Sequence, residues 1–282
     1  MKRYFLIPIL CLCSPVSLAW NSIGHRVIAQ IAYDNLTPTV KATVDSITAK
    51  QFNSPNPDTR FLKAATWPDE LKSTTHQYDT WHYINLPDVY DDVNPPPIDP
   101  QNVVFEINQQ EQALKNRETL SPRQQAKDLS FLIHFIGDIH QPLHCIDRFS
   151  KNFPAPRGDE GGNLYPIQSG IANNLHALWD SGVGLFYFSH KQYRHYLRGV
   201  PSQAQQLETE YPPAYFAQKL LIHSPQAWAQ DSFDLSKANA YTLPENNSPN
   251  ADYVRIGQQI SAEQAALAGY RLANVLNEIF AS

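Results

Sequence analysis

Apolar residues recur at three- and four-residue spacing along most of the chain, the signature of helices with one buried face. Ile23–Leu36 reads as an amphipathic helix that stops before Pro38. Thr37-Pro38 is a cap followed by proline at the first helical position, opening a second helix to about Thr48. Asp99 and Ser121-Pro122 mark two more starts, with helices to about Asn116 and about Gly137. Helices are expected again near Ala172, near Pro213 and, most clearly, over Asp252–Phe280. Residues 86–100, LPDVYDDVNPPPIDP, hold five prolines and no helical period, so they read as loop. Lys151–Asn163, rich in Pro and Gly, reads the same way. There is no fixed-period repeat and no set of alternating β positions. The expectation is an all-α fold: a single mostly helical domain with long connecting loops.

Residues 1–19 break this pattern. Lys2 and Arg3 precede the apolar run Tyr4–Cys13, Pro15 interrupts it, and Ser17-Leu18-Ala19 ends in small residues. This is the three-part pattern of a secretory signal peptide. The run falls short of the roughly 20 apolar residues of a membrane span. Residues 20–282 are therefore expected to form the mature domain, in the periplasm or secreted, beginning at Trp20. Cys11 and Cys13 would leave with the leader, so Cys145 would have no disulfide partner. An exported protein without disulfides makes a metal staple more attractive.

Composition narrows the function. A hydrophobic fraction of 42% with 11% aromatics supports a sizeable core and excludes wholesale disorder. The net charge of −5, which becomes −7 without Lys2 and Arg3, excludes a surface that coats nucleic acid by bulk positive charge. It leaves room for an enzyme whose positive charge is bound metal.

Candidate chemistry lies in four clusters. His134 and Asp138 are four apart and share a helix face, and His144 follows beyond the helix-stopping Pro142. His176 and Asp180 repeat the spacing. Trp67-Pro68-Asp69 and Trp81-His82-Tyr83 are the other two. One His-x-x-x-Asp pair is weak evidence; two, in helices otherwise apolar, carry more. Imidazole and carboxylate together suit zinc, and a structural His–Asp hydrogen bond in the core is the alternative.

Taken in order, Trp20, Gly24-His25, Trp67-Pro68-Asp69, Trp81-His82, the segment His134-Phe-Ile-Gly-Asp138-Ile-His-Gln-Pro-Leu-His144, His176-to-Asp180 and the closing Gly269-Tyr-Arg-Leu-Ala273 resemble the S1/P1 nuclease family over the whole mature chain. The resemblance implies three zinc ions around one cleft. Asp69, His82, His134 and Asp138 would hold the first. His25, a bridging Asp138 and the α-amine and carbonyl of Trp20 would hold the second. His144, His176 and Asp180 would hold the third. It also implies single-stranded DNA or RNA as substrate, cut by a zinc-bound hydroxide to leave 5′-phosphates, together with 3′-nucleotidase activity. Asp69 would orient or deprotonate the attacking water, and Lys72 would contact phosphate or else be a solvated lysine. Tyr83 would stack on a base, with Asn85 and Asn163 as further substrate contacts. Asn85 stands where the better-known fungal members carry an acid, which points to broad base preference. A monomer is the default expectation, with no membrane contact after processing.

His76, His140, His190, His195 and His223 are left over and read as structural or surface residues, with His140 facing away from Asp138. Cys145 reads as a buried free thiol. Two rivals stay open. Zinc phospholipases C resemble this family but use His-x-x-x-Glu in the last pair and lack the closing segment. A non-catalytic periplasmic zinc-binding protein would need the same ligands but no Tyr83 platform.

Overall fold

A computed structural model describes residues 20–189, 191 and 193–281. The expected leader, Cys11, Cys13 and His190 lie outside them. The elements in chain order are α1 (Ser22–Asp34), α2 (Pro38–Thr48), α3 (Pro57–Ala64), α4 (Trp67–Leu71), β1 (Pro87–Val89), α5 (Val103–Lys115) and α6 (Pro122–Asp138). They continue with β2 (Asp147–Phe149), α7 (Leu175–Asp180), α8 (Tyr193–Glu210), α9 (Ala217–Leu220), α10 (Pro225–Ala238) and α11 (Ala251–Phe280). The fold is mostly helical, with β1 and β2 forming a short parallel pair. No helix among the described residues is long and apolar enough to cross a membrane.

Local chemistry explains the ends of the helices that carry the site. Asn21 caps α1 by accepting from the N–H groups of Ile23 and Gly24. Thr37 and Ser121 cap α2 and α6, each with proline next in sequence. Several expectations need correction. The α5 cap is Asn102 rather than Asp99. The helix expected near Ala172 is α7, capped by Asn174. Pro213 begins only a single 3-10 turn before the four-residue α9. The helices α3, α4, α8 and α10 were not anticipated, and β1 is a short strand inside the segment 86–100 read as loop.

Three apolar clusters hold these elements. The largest joins α1, α2, α3, α5, α6 and α11 around Phe61, Phe131, Phe135 and Phe280. Each such ring contributes about 1.5–3 kcal/mol by leaving water. A second packs Trp20, Phe186 and α8 against α1 and α11. A third, with Trp179, Tyr165 and Tyr241, lies beneath the loops around β2 and α7. The C-terminal half of α6 and the turn Pro142–Cys145 are buried where the three meet.

Candidate metal centre

The helix α6 delivers His134 and Asp138 to one face, with His134 Nε2 3.2 Å from Asp138 Oδ2. Three other elements bring partners to them. α1 presents His25, whose ring stacks on that of His134 at 4.0 Å. This approach depends on Gly137, where a Cβ would come within 2.9 Å of His25 Nδ1. α4 presents Asp69, 3.5 Å from His134 Nε2. The 3-10 turn at Asp79–His82 presents His82, whose Nδ1 is 2.9 Å from Asp138 Oδ2 and 3.0 Å from His134 Nε2. Asp138 thus turns Oδ2 toward His82 and His134 and Oδ1 toward His25 Nε2, 3.2 Å away.

A separate group forms beside this one. The turn after α6 carries His144 and α7 carries His176 and Asp180. The two imidazole Nε2 atoms are 3.1 Å apart, and His176 Nε2 is 3.4 Å from Asp180 Oδ1. The sets His25/His134/Asp138, Asp69/His82/His134 and His144/His176/Asp180 each have their ligand atoms within 4.8 Å of one another.

The rings are fixed from behind. His134 Nδ1 donates to Ala65 O (2.7 Å), His144 Nδ1 to His82 O (2.8 Å) and His176 Nδ1 to Gly161 O (2.7 Å). Each bond leaves Nε2 aimed inward, the arrangement that orients a metal-binding imidazole. Gly161 reaches this place at φ +62°, where a Cβ would meet Leu143 O at 2.5 Å.

Two observations test whether metal ions suit these residues. His25 Nε2, His82 Nε2 and Asp138 Oδ1 are buried and make no hydrogen bond. Such atoms are costly unless something else satisfies them. The charge balance points the same way. Burial raises Asp180 well above the usual carboxylate range, despite a hydrogen bond from Gln141 and the nearby Lys72. Burial, helped by His144 and Lys72, lowers His176 to about 3, and burial also lowers His144. The group is therefore two neutral imidazoles and an uncompensated carboxyl, a donor set that a divalent cation completes. In the other group burial lowers His25, and burial with Lys72 lowers His82 to about 4. Burial opposes charge on His134 as well, but Asp138 and Asp69 outweigh it and raise the ring to about 10. Burial likewise opposes ionisation of Asp69 and Asp138; Lys72 and His134 hold the first low, and His134 holds the second low. The residues fit metal.

His82, His144 and His176 open onto a cleft of about 580 Å3 that Lys72, Tyr83, Asn85 and Asn163 also line. Every side chain singled out from the sequence for substrate contact thus reaches one cavity. Lys72 is buried rather than solvated, its Nζ 3.0 Å from Asp69 Oδ1. Asn163 donates to Glu160 O (2.8 Å) at the rim. Trp20 is fully buried; its indole N–H donates to Gly137 O (3.0 Å), next to Asp138, and the Asn21 N–H donates to Asp180 O (2.9 Å). The segment Trp20-Asn21 is thereby tied to both groups.

Among the described residues, the remaining histidines belong to none of the metal-ligand sets. His76 pairs with Asp79 at the rim (2.9 Å), His195 is exposed, and His223 lies 3.2 Å from both Glu111 and Glu278. His140 faces away from the centre and accepts from Arg271 (2.8 Å). Cys145 is buried, its thiol pushed up by burial, and belongs to none of the three groups. Sequence reasoning missed Gln141. Its Nε2 donates to Asp180 Oδ1 and its Oε1 accepts from Leu143 N, both at 2.6 Å, so one side chain holds a carboxylate and the turn that carries His144. Its place just before Pro142 is a cap position, which was the available signal.

Comparison with known proteins agrees with this geometry. The family model for S1/P1 nuclease matches residues 20–281. Endonuclease 4 of Arabidopsis thaliana is 27% identical over 294 residues, covering 94% of this chain and 91% of its own length. Nuclease P1 of Penicillium citrinum is 26% identical over 298 residues, covering 93% and 98%. Nuclease S1 of Aspergillus oryzae is 27% identical over 179 residues, covering 60% and 55%. The family match spans both histidine–aspartate groups and the helices that carry them, and so the chain belongs to the S1/P1 nuclease family and is a phosphodiester hydrolase.

Proposed function

We propose that the protein is a zinc-dependent endonuclease acting on single-stranded DNA and RNA, with 3′-nucleotidase activity, exported after removal of residues 1–19. The observation that carries this reading is the convergence of three His/Asp groups, of which His82, His144 and His176 line a cleft that also holds Tyr83 and Lys72. Zinc suits the mixture of imidazole and carboxylate, and when bound it supplies positive charge for phosphate and acidity for water. Asp69, His82, His134 and Asp138 hold one ion. His25, Asp138 and the backbone of Trp20 hold a second, and His144, His176 and Asp180 hold a third.

The chain's own groups then divide the work. Asp69 orients the attacking water and takes its proton. Lys72 contacts the phosphoryl oxygens, whose charge grows as the P–O3′ bond breaks. The 3′-oxygen leaves and the phosphate stays on the 5′ side. Tyr83 stacks on a splayed base, which selects for single strands. Asn85 both donates and accepts, so it tolerates several base edges, and Asn163 contacts the substrate across the cleft.

The test uses residues 20–282 with a single-stranded oligonucleotide and, separately, with phosphatidylcholine, each with zinc and with chelator. Zinc-dependent release of 5′-phosphorylated fragments is the expected result. Hydrolysis of the lipid alone would move the assignment to a phospholipase C. Tight zinc binding with neither substrate cut would leave a metal-storage role.

A further inference from the structure

Beside the cleft lies a second pocket of about 190 Å3, lined by Thr80, Tyr83, Asn85, Pro96, Pro97 and Asp99. Tyr83 and Asn85 line both cavities and so form their common wall. The pocket is about a third of the cleft's size, which suits one flat ring rather than a length of strand. The Tyr83 ring and the two prolines offer flat apolar surfaces. Both prolines come from the proline-rich segment 86–100, which contributes nothing to the metal groups.

The polar groups of the pocket are not all engaged. Asn102, at its edge, is consumed in capping α5, and Asp99 Oδ1 accepts from Gln101 N (2.8 Å). The Asn85 amide and the Thr80 hydroxyl make no side-chain hydrogen bond among the described residues. Flat faces along the sides, with an unengaged amide and hydroxyl between them, complement the two faces and the polar edge of a nucleobase.

We propose that this pocket is a second base subsite, holding the base next in the strand to the one stacked in the cleft, on the side away from the bond that is cut. The proposal rests on the nuclease reading above. Pro96, Pro97 and Thr80 determine how strongly a longer strand is held, while the metal groups decide how fast it is cut.

The test compares initial rates on a dinucleotide, which has no base beyond those flanking the bond cut, and on a tetranucleotide. Three proteins are used: wild type, Thr80→Phe, which fills the pocket, and a Pro96→Gly/Pro97→Gly double variant, which strips its walls. Wild type should show a KM about tenfold lower on the tetranucleotide, within the range of one stacked base. Each variant should lose that difference and keep the dinucleotide kcat/KM. A difference that survives in both variants, or that wild type does not show, overturns the proposal. So does an equal loss on both substrates, because the pocket would then only support the cleft. Failure of wild type to cut either strand would instead overturn the nuclease reading itself.

Discussion

The Nε2 atoms of His144 and His176 face each other across 3.1 Å, while their Nδ1 atoms donate to His82 O and Gly161 O. Two neutral rings held this way direct lone pair at lone pair, beside the carboxyl of Asp180. A cation between them removes the repulsion. Stripping metal with a chelator should therefore lower the melting temperature by about 5 °C or more, since a ligand at a hundred times its Kd contributes roughly 2.7 kcal/mol. Calorimetry with and without chelator checks this; an unchanged melting temperature would count against metal in the group.

Gln141 grips both Asp180 and the turn that carries His144. Gln141→Ala should weaken metal binding in that group by about 10–100-fold, the usual effect of losing a group that orients a ligand. Metal content per chain after dialysis, read by atomic emission, should fall while the other group keeps its metal. Full retention would make Gln141 a packing residue only.

Tyr83 lines the cleft but belongs to none of the three ligand groups. Tyr83→Ala should raise KM for a single-stranded oligonucleotide by about tenfold, with a smaller change in kcat. The reverse pattern would mean that the ring shapes the catalytic step.

Asp147 and Asp159 form a buried carboxyl pair behind the cleft loop. Asp147 Oδ1 accepts from Glu160 N (3.0 Å), Asp159 Oδ1 from Arg148 N (2.9 Å), and Asp159 Oδ2 from the Tyr241 hydroxyl (2.7 Å). Burial and the neighbouring Asp159 raise Asp147 from 3.8 to about 8. Between those values the folded protein keeps a proton that the unfolded chain has lost. The stability this confers is complete below the lower value and is lost as pH rises through the upper one. The melting temperature should thus fall from pH 6 to pH 9, and Asp147→Asn should flatten the fall. An equally steep fall in the variant would place its cause elsewhere.

Much of this was legible in the sequence where local chemistry decides. Thr37-Pro38 and Ser121-Pro122 mark true helix starts, and the two His-x-x-x-Asp spacings survive as close pairs. The long final helix follows from its apolar period. What was missed depends on tertiary surroundings. α8 contains Pro201 and Gly199, which read as breakers until its buried face meets α1. α10 buries small and polar residues such as Ala229, Ser232 and Ser236, which leave little apolar period. Lys72 leaves two sequence readings open, a phosphate contact or a solvated lysine, and only its burial beside Asp69 removes the second. Gln141, flanked by ligand positions, looks like a spacer. Asp147 and Asp159 meet only because the intervening loop doubles back.

Helix α11 lies directly on α1: a Cβ at Gly269 would come within 2.6 Å of Ile31, one face of the helix that presents His25. The bed for His25 is therefore supplied by an element made long after α1 itself. A growing chain cannot close the centre before α11 has emerged, because the element that fixes α1 does not yet exist. The metal groups of a nuclease built in this order come together only after synthesis has passed α11.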